Sequence, residues 1–389
     1  MYRIGQEEID AVARVINSKS LFKINDALRE TAKCEQNMRD IWGVKRALLV
    51  TSGKGALISA LIGMGIGPGD EVIVPGYTYI ATAIAVLATG AIPIIAEINE
   101  TLTLDPKDFE AKITPRTKAV IPVHIMGFPC DMDEIMRIAN EHSIMVLEDS
   151  CQSDGGSYKG KRLGSIGTAG ALSFNYFKII TAGEGGAVLT NDDKLYERAL
   201  IYQDSSAISF FGDQLDGISE PQFCGSQFRT NEISAAILNV QLGRLEGILS
   251  DLRRNKKKLA EKLAPYFKFA PSNDIEGDCG IALSLEFESE EECIDFYKKA
   301  PDGLTRPRET DRHIYCYWTS ILEKRGAFHP LMDPFKMEAN KGHIPDYSVD
   351  MCPKTLEHLA KNCYISINPE WTDEDIERVA SYYISAHTG

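Results

Sequence analysis

Two neighbouring stretches of this chain share one plan, and the plan restricts the fold more than any other feature. Arg46–Gly65, RALLVTSGKGALISALIGMG, reads as a short apolar run, a glycine turn and an apolar helix. Glu71–Gly90, EVIVPGYTYIATAIAVLATG, repeats the order. Further short apolar runs follow in IPIIAEI, AVIPVHIMG and IMVLED. Apolar runs too short for a helix, alternating with helix-length segments, predict an α/β layer around a largely parallel sheet. Such sheets bind ligands where their strands end and the connecting loops gather. Function is therefore sought just after the apolar runs, in TSGKG, PGYTY and EDSCQS.

The rest of the chain builds around this layer. At 389 residues it exceeds what one core usually supports. The reading is a large domain over 1–250, N-terminal helices included, and a smaller α/β domain over 251–389. Ile9, Val12, Val15 and Ile16 recur at helical spacing, and ALRETAKCEQNMRDIWGV follows as a second amphipathic helix. Arg229 to about Ala264 reads as one long helix carrying the basic run RRNKKK, most simply a solvated face. IALSLEF is strand-like and EEECIDFYKKA helical; WTDEDIERVASYYISAH closes the chain as a helix with Thr372 as cap and acids in its first turn.

Bulk properties exclude some functions. The formal charge of -14 gives no basic stripe for nucleic acid. No apolar run approaches a membrane span, and the charged N-terminus lacks the core of a signal peptide. Nine scattered cysteines, with no C-x-x-C pair and no metal-ligand spacing, read as reduced thiols of a cytoplasmic protein.

The chemistry gathers around SFNYFKIITAGEGG, Ser173–Gly186. Lys178 lies between the strand-like GALSF and the cluster Gly183, Gly185 and Gly186, and nine glycines fall between Gly155 and Gly186. Upstream, Asp149 ends the run IMVLED, and Gln152 lies three residues on. A lysine amine that forms covalent bonds and a carboxylate that holds a pyridinium nitrogen are the two protein groups that pyridoxal phosphate chemistry requires. TSGKGAL opens a helix after a strand, so its N–H groups are free for a phosphate. Ser173 is near enough to Lys178 in sequence to add a hydroxyl, and Tyr79 follows a strand end and can stack on a planar ring. Taken singly, each has a plainer reading: a surface lysine, a capped loop, a common glycine turn, a packed tyrosine.

In this order the segments SGKGAL, DEVIVPGYTYIAT, PVHIMGFPCDMDEI, LEDSCQS, SFNYFKIITAGEGGAVLT and FRTNEISAAI resemble the DegT/DnrJ/StrS family of pyridoxal-phosphate-dependent sugar aminotransferases. The resemblance implies the type I aminotransferase fold, with a mainly parallel seven-stranded sheet flanked by helices and a smaller α/β C-terminal domain. It implies Lys178 as the Schiff-base lysine, Asp149 as partner of the ring nitrogen, and Gln152 as partner of the phenolic oxygen. Tyr79 becomes the ring on the cofactor face, with Gly53, Lys54 and Ser173 at the phosphate. It further implies a homodimer in which Gln227 reaches the partner's cofactor.

The chain departs from the family pattern in places. Gly225, Gln227 and Arg229 stand where G-x-N-x-R is usual, so the amide is one methylene longer. Asn175 replaces a frequent His, and Lys54 a frequent Thr. Arg229 is a candidate for a substrate carboxylate or a helix-face ion pair. Trp318 and His329, in IYCYWTSILEKRGAFHP, are expected to line the substrate pocket. The implied reaction moves an amino group from L-glutamate to a keto or aldehydo sugar. The acceptors in view are nucleotide-linked keto sugars, cyclitols, and an 8-oxo octulosonic acid of lipopolysaccharide. A regulator that binds the cofactor without turnover is the alternative of another class, which the intact Lys178, Asp149 and Gln152 disfavour.

Overall fold

The computed structural model describes residues 3–23, 28–205 and 218–389. Its centre is a seven-stranded sheet in the order β1-β9-β8-β5-β4-β2-β3. The strands are β1 (Arg46–Val50), β2 (Glu71–Pro75), β3 (Ile92–Ala96), β4 (Thr117–Val120), β5 (Met145–Asp149), β8 (Ala169–Ser173) and β9 (Gly186–Thr190), with a two-residue hairpin, β6 (Ser157–Tyr158) and β7 (Lys161–Arg162), set apart. All neighbours pair in parallel except β9, which runs against both β8 and β1. β2, β8 and β9 are buried along their whole length, which is why they read as unbroken apolar runs rather than alternating ones.

Helices cover the sheet. α1 (Gln6–Ser18) and α2 (Glu30–Trp42) come first; α3 (Gly53–Gly63), α4 (Ala81–Ala88), α5 (Pro106–Ala111), α6 (Met132–Glu141) and α7 (Asp193–Gln203) alternate with the strands. α3 is apolar nearly all round because it is sandwiched, packing on β8 and β9 on one side and on α4 and α7 on the other. α6 has one apolar stripe, burying Ile135, Ile138 and Ala139 while Arg137 pairs with Glu134 and Glu141 outside.

The long helix runs from Glu232 to Leu263, three residues later than the sequence suggests, because Asn231 caps it by accepting from the Ser234 N–H. Arg229 lies before it, in an extended bridge to Val50. The position 250/251 falls inside this helix, which packs on α1 and α2 and, further on, on the C-terminal helix Asp373–Thr388. Its first residue, Glu232, is buried and accepts from the N–H groups of Glu30 and Thr31, so it caps α2 from a distance.

A second sheet, β10 (Lys268–Phe269), β11 (Ala282–Glu286), β13 (Asn362–Ser366) and β12 (Leu304–Thr305) in that spatial order, is antiparallel throughout. Thr372 forms the expected capping box with Asp375. The segment from β12 to the helix Pro353–Ala360 is a chain of single turns that crosses back over the large sheet. It is tied down at both ends. Tyr77 bridges Ile314, Thr78 and Ile80 donate to the carbonyls of His313 and Arg312, and Glu97 accepts from the Lys354 and Thr355 N–H groups. Residues remote in sequence are thereby placed over the strand ends.

Candidate active site

β1, β2, β5 and β8 run in the same direction and end at one edge of the sheet. β9 starts at the same edge, since Gly186 stands opposite both Val50 and Ser173.

β1 leads into α3 through Ser52, whose hydroxyl accepts from the Gly55 N–H at 3.0 Å. The N–H groups of Gly53 and Lys54 precede any helical carbonyl they could reach, so the first turn offers donors outward at the positive end of the helix. Ser173 closes in from β8. A Cβ on Gly53 would stand 2.7 Å from Ser173 Cβ and 2.8 Å from Cys151 Sγ. A Cβ on Gly186 would meet the Ser52 carbonyl carbon at 2.4 Å. Only glycines let β8, β9 and α3 approach this closely, and the result is a narrow cradle with backbone donors and one hydroxyl on its walls. Lys54 is exposed at its rim.

Asp149 ends β5, 4% exposed. Its Oδ2 accepts from Thr82 Oγ1 at 2.7 Å and its Oδ1 from the Cys151 N–H at 3.1 Å. Thr82 has one proton and gives it to the carboxylate, so Thr78, 2.7 Å away, donates to Thr82. This chain of hydroxyls, Thr82 from α4 and Thr78 from the turn before it, fixes the carboxylate and supports its charge. Gln152 turns its Oε1 to the Met126 N–H at 3.1 Å, which leaves its Nε2 to donate.

Lys178 sits in the turn that joins β8 to β9. The turn is held by Tyr176 N–H to the Gly183 carbonyl, Ala182 N–H to the Phe174 carbonyl and Lys178 N–H to the Asn175 carbonyl, with Gly183 at a positive φ of 83°. The lysine is half-buried. Its charge acts on Cys151 and Asp154, in one turn after β5, and on His313, remote in sequence. Burial, reinforced by the Lys178 and Arg312 cations, pushes the His313 imidazole down to about 4, so it is neutral at pH 7. Its ring lies 5.4 Å from that of Tyr79, tilted by 50°, and Tyr79 is 42% exposed.

The structure thus gathers Gly53, Lys54, Tyr79, Asp149, Gln152, Ser173 and Lys178 at neighbouring ends of the large sheet. Other candidates take other places. Gln227 is exposed, and Asp204 bridges it only through backbone. Arg229 donates from Nη1 to both carboxylate oxygens of Asp204 at 2.8 Å and lies over the Phe22 ring, so the ion-pair reading is the one observed. Trp318 does not line a pocket: it is fully buried in the main core, its Nε1 donating to the Arg312 carbonyl, and it anchors the segment that carries His313. A ring so large and apolar is more stable packed than open to solvent. His329 is exposed, and its Nδ1 accepts from the Leu331 N–H, a local turn cap.

Sequence reasoning missed Thr82 and His313. It also missed Glu148, fully buried, which accepts from the N–H groups of Gly164, Ile166 and Gly167 and faces His124 Nε2 at 3.2 Å. A glutamate inside an apolar strand was the available signal, because a buried carboxylate requires such a set of donors.

The profile of the DegT/DnrJ/EryC1/StrS aminotransferase family matches residues 2–279. The chain belongs to this family. It is 41% identical over 265 residues, 67% of this chain and 68% of the relative, to the GDP-perosamine synthase of Caulobacter vibrioides. Among solved structures, 3-amino-5-hydroxybenzoic acid synthase superposes with a TM-score of 0.81 at 25% identity, covering 99% of this chain and 97% of that one. DesV of S. venezuelae, in complex with a ketimine intermediate, gives 0.73 at 29%, covering 98% and 94%. The type I fold expected from the sequence is the fold observed, and the family's members are pyridoxal-phosphate-dependent aminotransferases. This chain is therefore an aminotransferase that uses pyridoxal phosphate. The glycine cradle, the supported carboxylate and the half-buried lysine fit that group's phosphate, ring nitrogen and aldehyde in kind.

Proposed function

We propose that this enzyme transfers the amino group of L-glutamate to an aldehydo or keto sugar. The observation that carries the residue assignment is that the donor-supported Asp149 ends β5 and Lys178 lies in the turn that leaves the neighbouring β8, both acting on Cys151 between them. Pyridoxal phosphate, when bound, supplies an aldehyde for amine exchange and a ring that spreads the charge of a deprotonated α-carbon. The first turn of α3, with Gly53, Lys54 and Ser173, would hold the phosphate. Asp149, fixed by Thr82, would hold the protonated ring nitrogen, and Gln152 Nε2 is free to donate to the phenolic oxygen. Tyr79 would stack on the ring. Lys178 would hold the cofactor through its aldehyde, and its Nζ, when free, would serve as the base and then the acid that moves the proton of the donor α-carbon.

The assembly in this reading is a homodimer, with Gln227 reaching the partner's cofactor phosphate. Phe177 and Tyr176, 79% and 53% exposed immediately before Lys178, support it, since aromatic rings beside an active site call for a covering surface. The nine unpaired cysteines support a cytoplasmic setting.

For the acceptor we propose 8-oxo-3-deoxy-manno-octulosonate, yielding 8-amino-3,8-dideoxy-manno-octulosonate for lipopolysaccharide. Arg308 and Arg312 flank the His313 segment and suit an acidic sugar. The segment also lies outside residues 2–279, the part matched by the family profile. A GDP-linked keto sugar is the second reading, favoured by the identity to GDP-perosamine synthase. The test loads the enzyme with pyridoxamine phosphate and follows the return of the pyridoxal spectrum with each acceptor. Return with the octulosonate alone is expected. Return with GDP- or dTDP-linked keto sugars alone overturns that acceptor.

A further inference from the structure

Two of the nine cysteines touch. Cys293 and Cys363, 70 residues apart and both fully buried, hold their Sγ atoms 3.2 Å from one another. Cys130, Cys151 and Cys352 instead give their thiols to backbone carbonyls, those of Val123, Ala171 and Ile95. A thiol that faces a thiol has a reaction open to it that these lack, closure to a disulfide.

Regular structure places both. Cys363 is the second residue of β13, with Leu285 of β11 opposite it on one side. On the other side β12 pairs Leu304 with Ile365 and Thr305 with Tyr364, so the next step of the register sets Arg306 beside Cys363. Residues opposite one another in an antiparallel ladder share a face of the sheet. The helix Glu290–Lys299 covers that face, and Cys293 closes its first turn by donating its N–H to the Ser289 carbonyl. Glu292 and Asp295, on either side of Cys293, are exposed, so a single helical turn separates the two thiols from water.

Arg306 makes the place electropositive. It is 5% exposed, pairs through Nη1 with Glu309, and reaches back through Nη2 to Glu290 at 3.4 Å, in the turn that Cys293 closes. Its Nε is enclosed without a hydrogen-bond partner, a donor to spare beside the thiols. A thiol next to a guanidinium ionises more readily and becomes the nucleophile. The contact from Cys363 and the Arg306 cation hold Cys293 below the usual thiol range, and the same contact holds Cys363 above it. Burial pushes Cys34, Cys151, Cys279 and Cys352 the other way from Cys293.

We propose that Cys293 and Cys363 form an oxidisable pair, closed to a disulfide by a hydroperoxide and reopened by a thiol reductant. The Cys293 sulfur attacks one peroxide oxygen; the O–O bond breaks, and the other oxygen leaves as water once protonated. The Cys363 sulfur then attacks the Cys293 sulfur; the S–O bond breaks, and a second water leaves with the Cys363 proton. Two S–H bonds have given way to one S–S bond, and the two electrons have reduced the peroxide. A disulfide is about 2.05 Å long, so each sulfur moves by roughly half an ångström. The ring so closed contains Arg306 and the whole run of single turns that carries His313 over the large sheet.

The test needs neither turnover nor a variant. Reduced holoenzyme is treated with hydrogen peroxide, denatured, alkylated, and mapped by mass spectrometry without reduction. The expected product joins the Cys293 and Cys363 peptides, lighter by two hydrogens than their sum, and dithiothreitol separates them. Cys224, which is exposed, reports that the oxidant acted. Cys224 oxidised while Cys293 and Cys363 are both alkylated overturns the proposal, as does a bond from either to another cysteine. Dimedone, which traps a sulfenic acid, reads the order of attack. It should label Cys293 in Cys363→Ser and leave Cys363 unlabelled in Cys293→Ser; the reverse pattern overturns Cys293 as the attacking sulfur.

Discussion

Thr82→Val isolates the support of Asp149 without touching any group that meets cofactor or substrate. Valine keeps the shape but removes the hydroxyl that donates to Oδ2 at 2.7 Å, and it leaves Thr78 without the neighbour it donates to. Water cannot replace the donor, because Asp149 is 4% exposed and Thr82 is fully buried. A hydrogen bond to a charged group contributes about 1.5–3 kcal/mol. The Cys151 N–H still supports Oδ1, so the carboxylate survives with a weaker hold on a protonated ring nitrogen. With about 1.4 kcal/mol per tenfold in rate, the glutamate half-reaction should slow about 10- to 100-fold. The assay is single-turnover stopped-flow absorbance on Thr82→Val, with cofactor content and melting temperature as controls. A native single-turnover rate at full cofactor content would refute the claim that Thr82 supports the charge on Asp149.

Other expectations follow from the same geometry. Gly53→Ala inserts a methyl 2.7 Å from Ser173 Cβ; overpacking of this kind costs about 1–3 kcal/mol, and equilibrium dialysis should show weakened pyridoxal phosphate binding. His313 has a folded pKa near 4 against 6.5 in the unfolded chain, so the unfolded state takes up its proton first as pH falls. The stability involved is present above pH 6.5 and lost toward pH 4, and His313→Gln should flatten that part of a denaturation-versus-pH curve. Lys178→Ala subunits mixed with Gln227→Ala subunits should regain activity in hybrid dimers, which hold one site with both changes and one with neither; no recovery in demonstrably mixed dimers would assign Gln227 to its own subunit.

What the sequence revealed depended on whether the cause was local. Arg46–Val50 and Glu71–Pro75 are buried on both faces, so their apolar runs named them as strands, and the glycines that follow named the turns. Lys178 and Asp149 stood out because each follows such a run. Thr82 did not, because one hydroxyl in an apolar helix gives no periodic signal and its partner is on another strand. His313 was hidden for a related reason: it reaches the site through a run of single turns anchored by Tyr77, Thr78 and Glu97, a path with no repeat to read. Trp318 was misplaced since an aromatic near a pocket and an aromatic holding that pocket's wall look alike in sequence. The reversed direction of β9 likewise depends on the tight Ser173–Gly186 connection rather than on the strand's own residues.

The central claim is that Lys178 is the amine that carries the cofactor. Borohydride reduction of the loaded enzyme, followed by peptide mapping, tests it directly. The account predicts one modified residue, Lys178, and loss of the label when native enzyme is first converted with glutamate. A label on Lys54 at the cradle rim, or on Lys23, would contradict it.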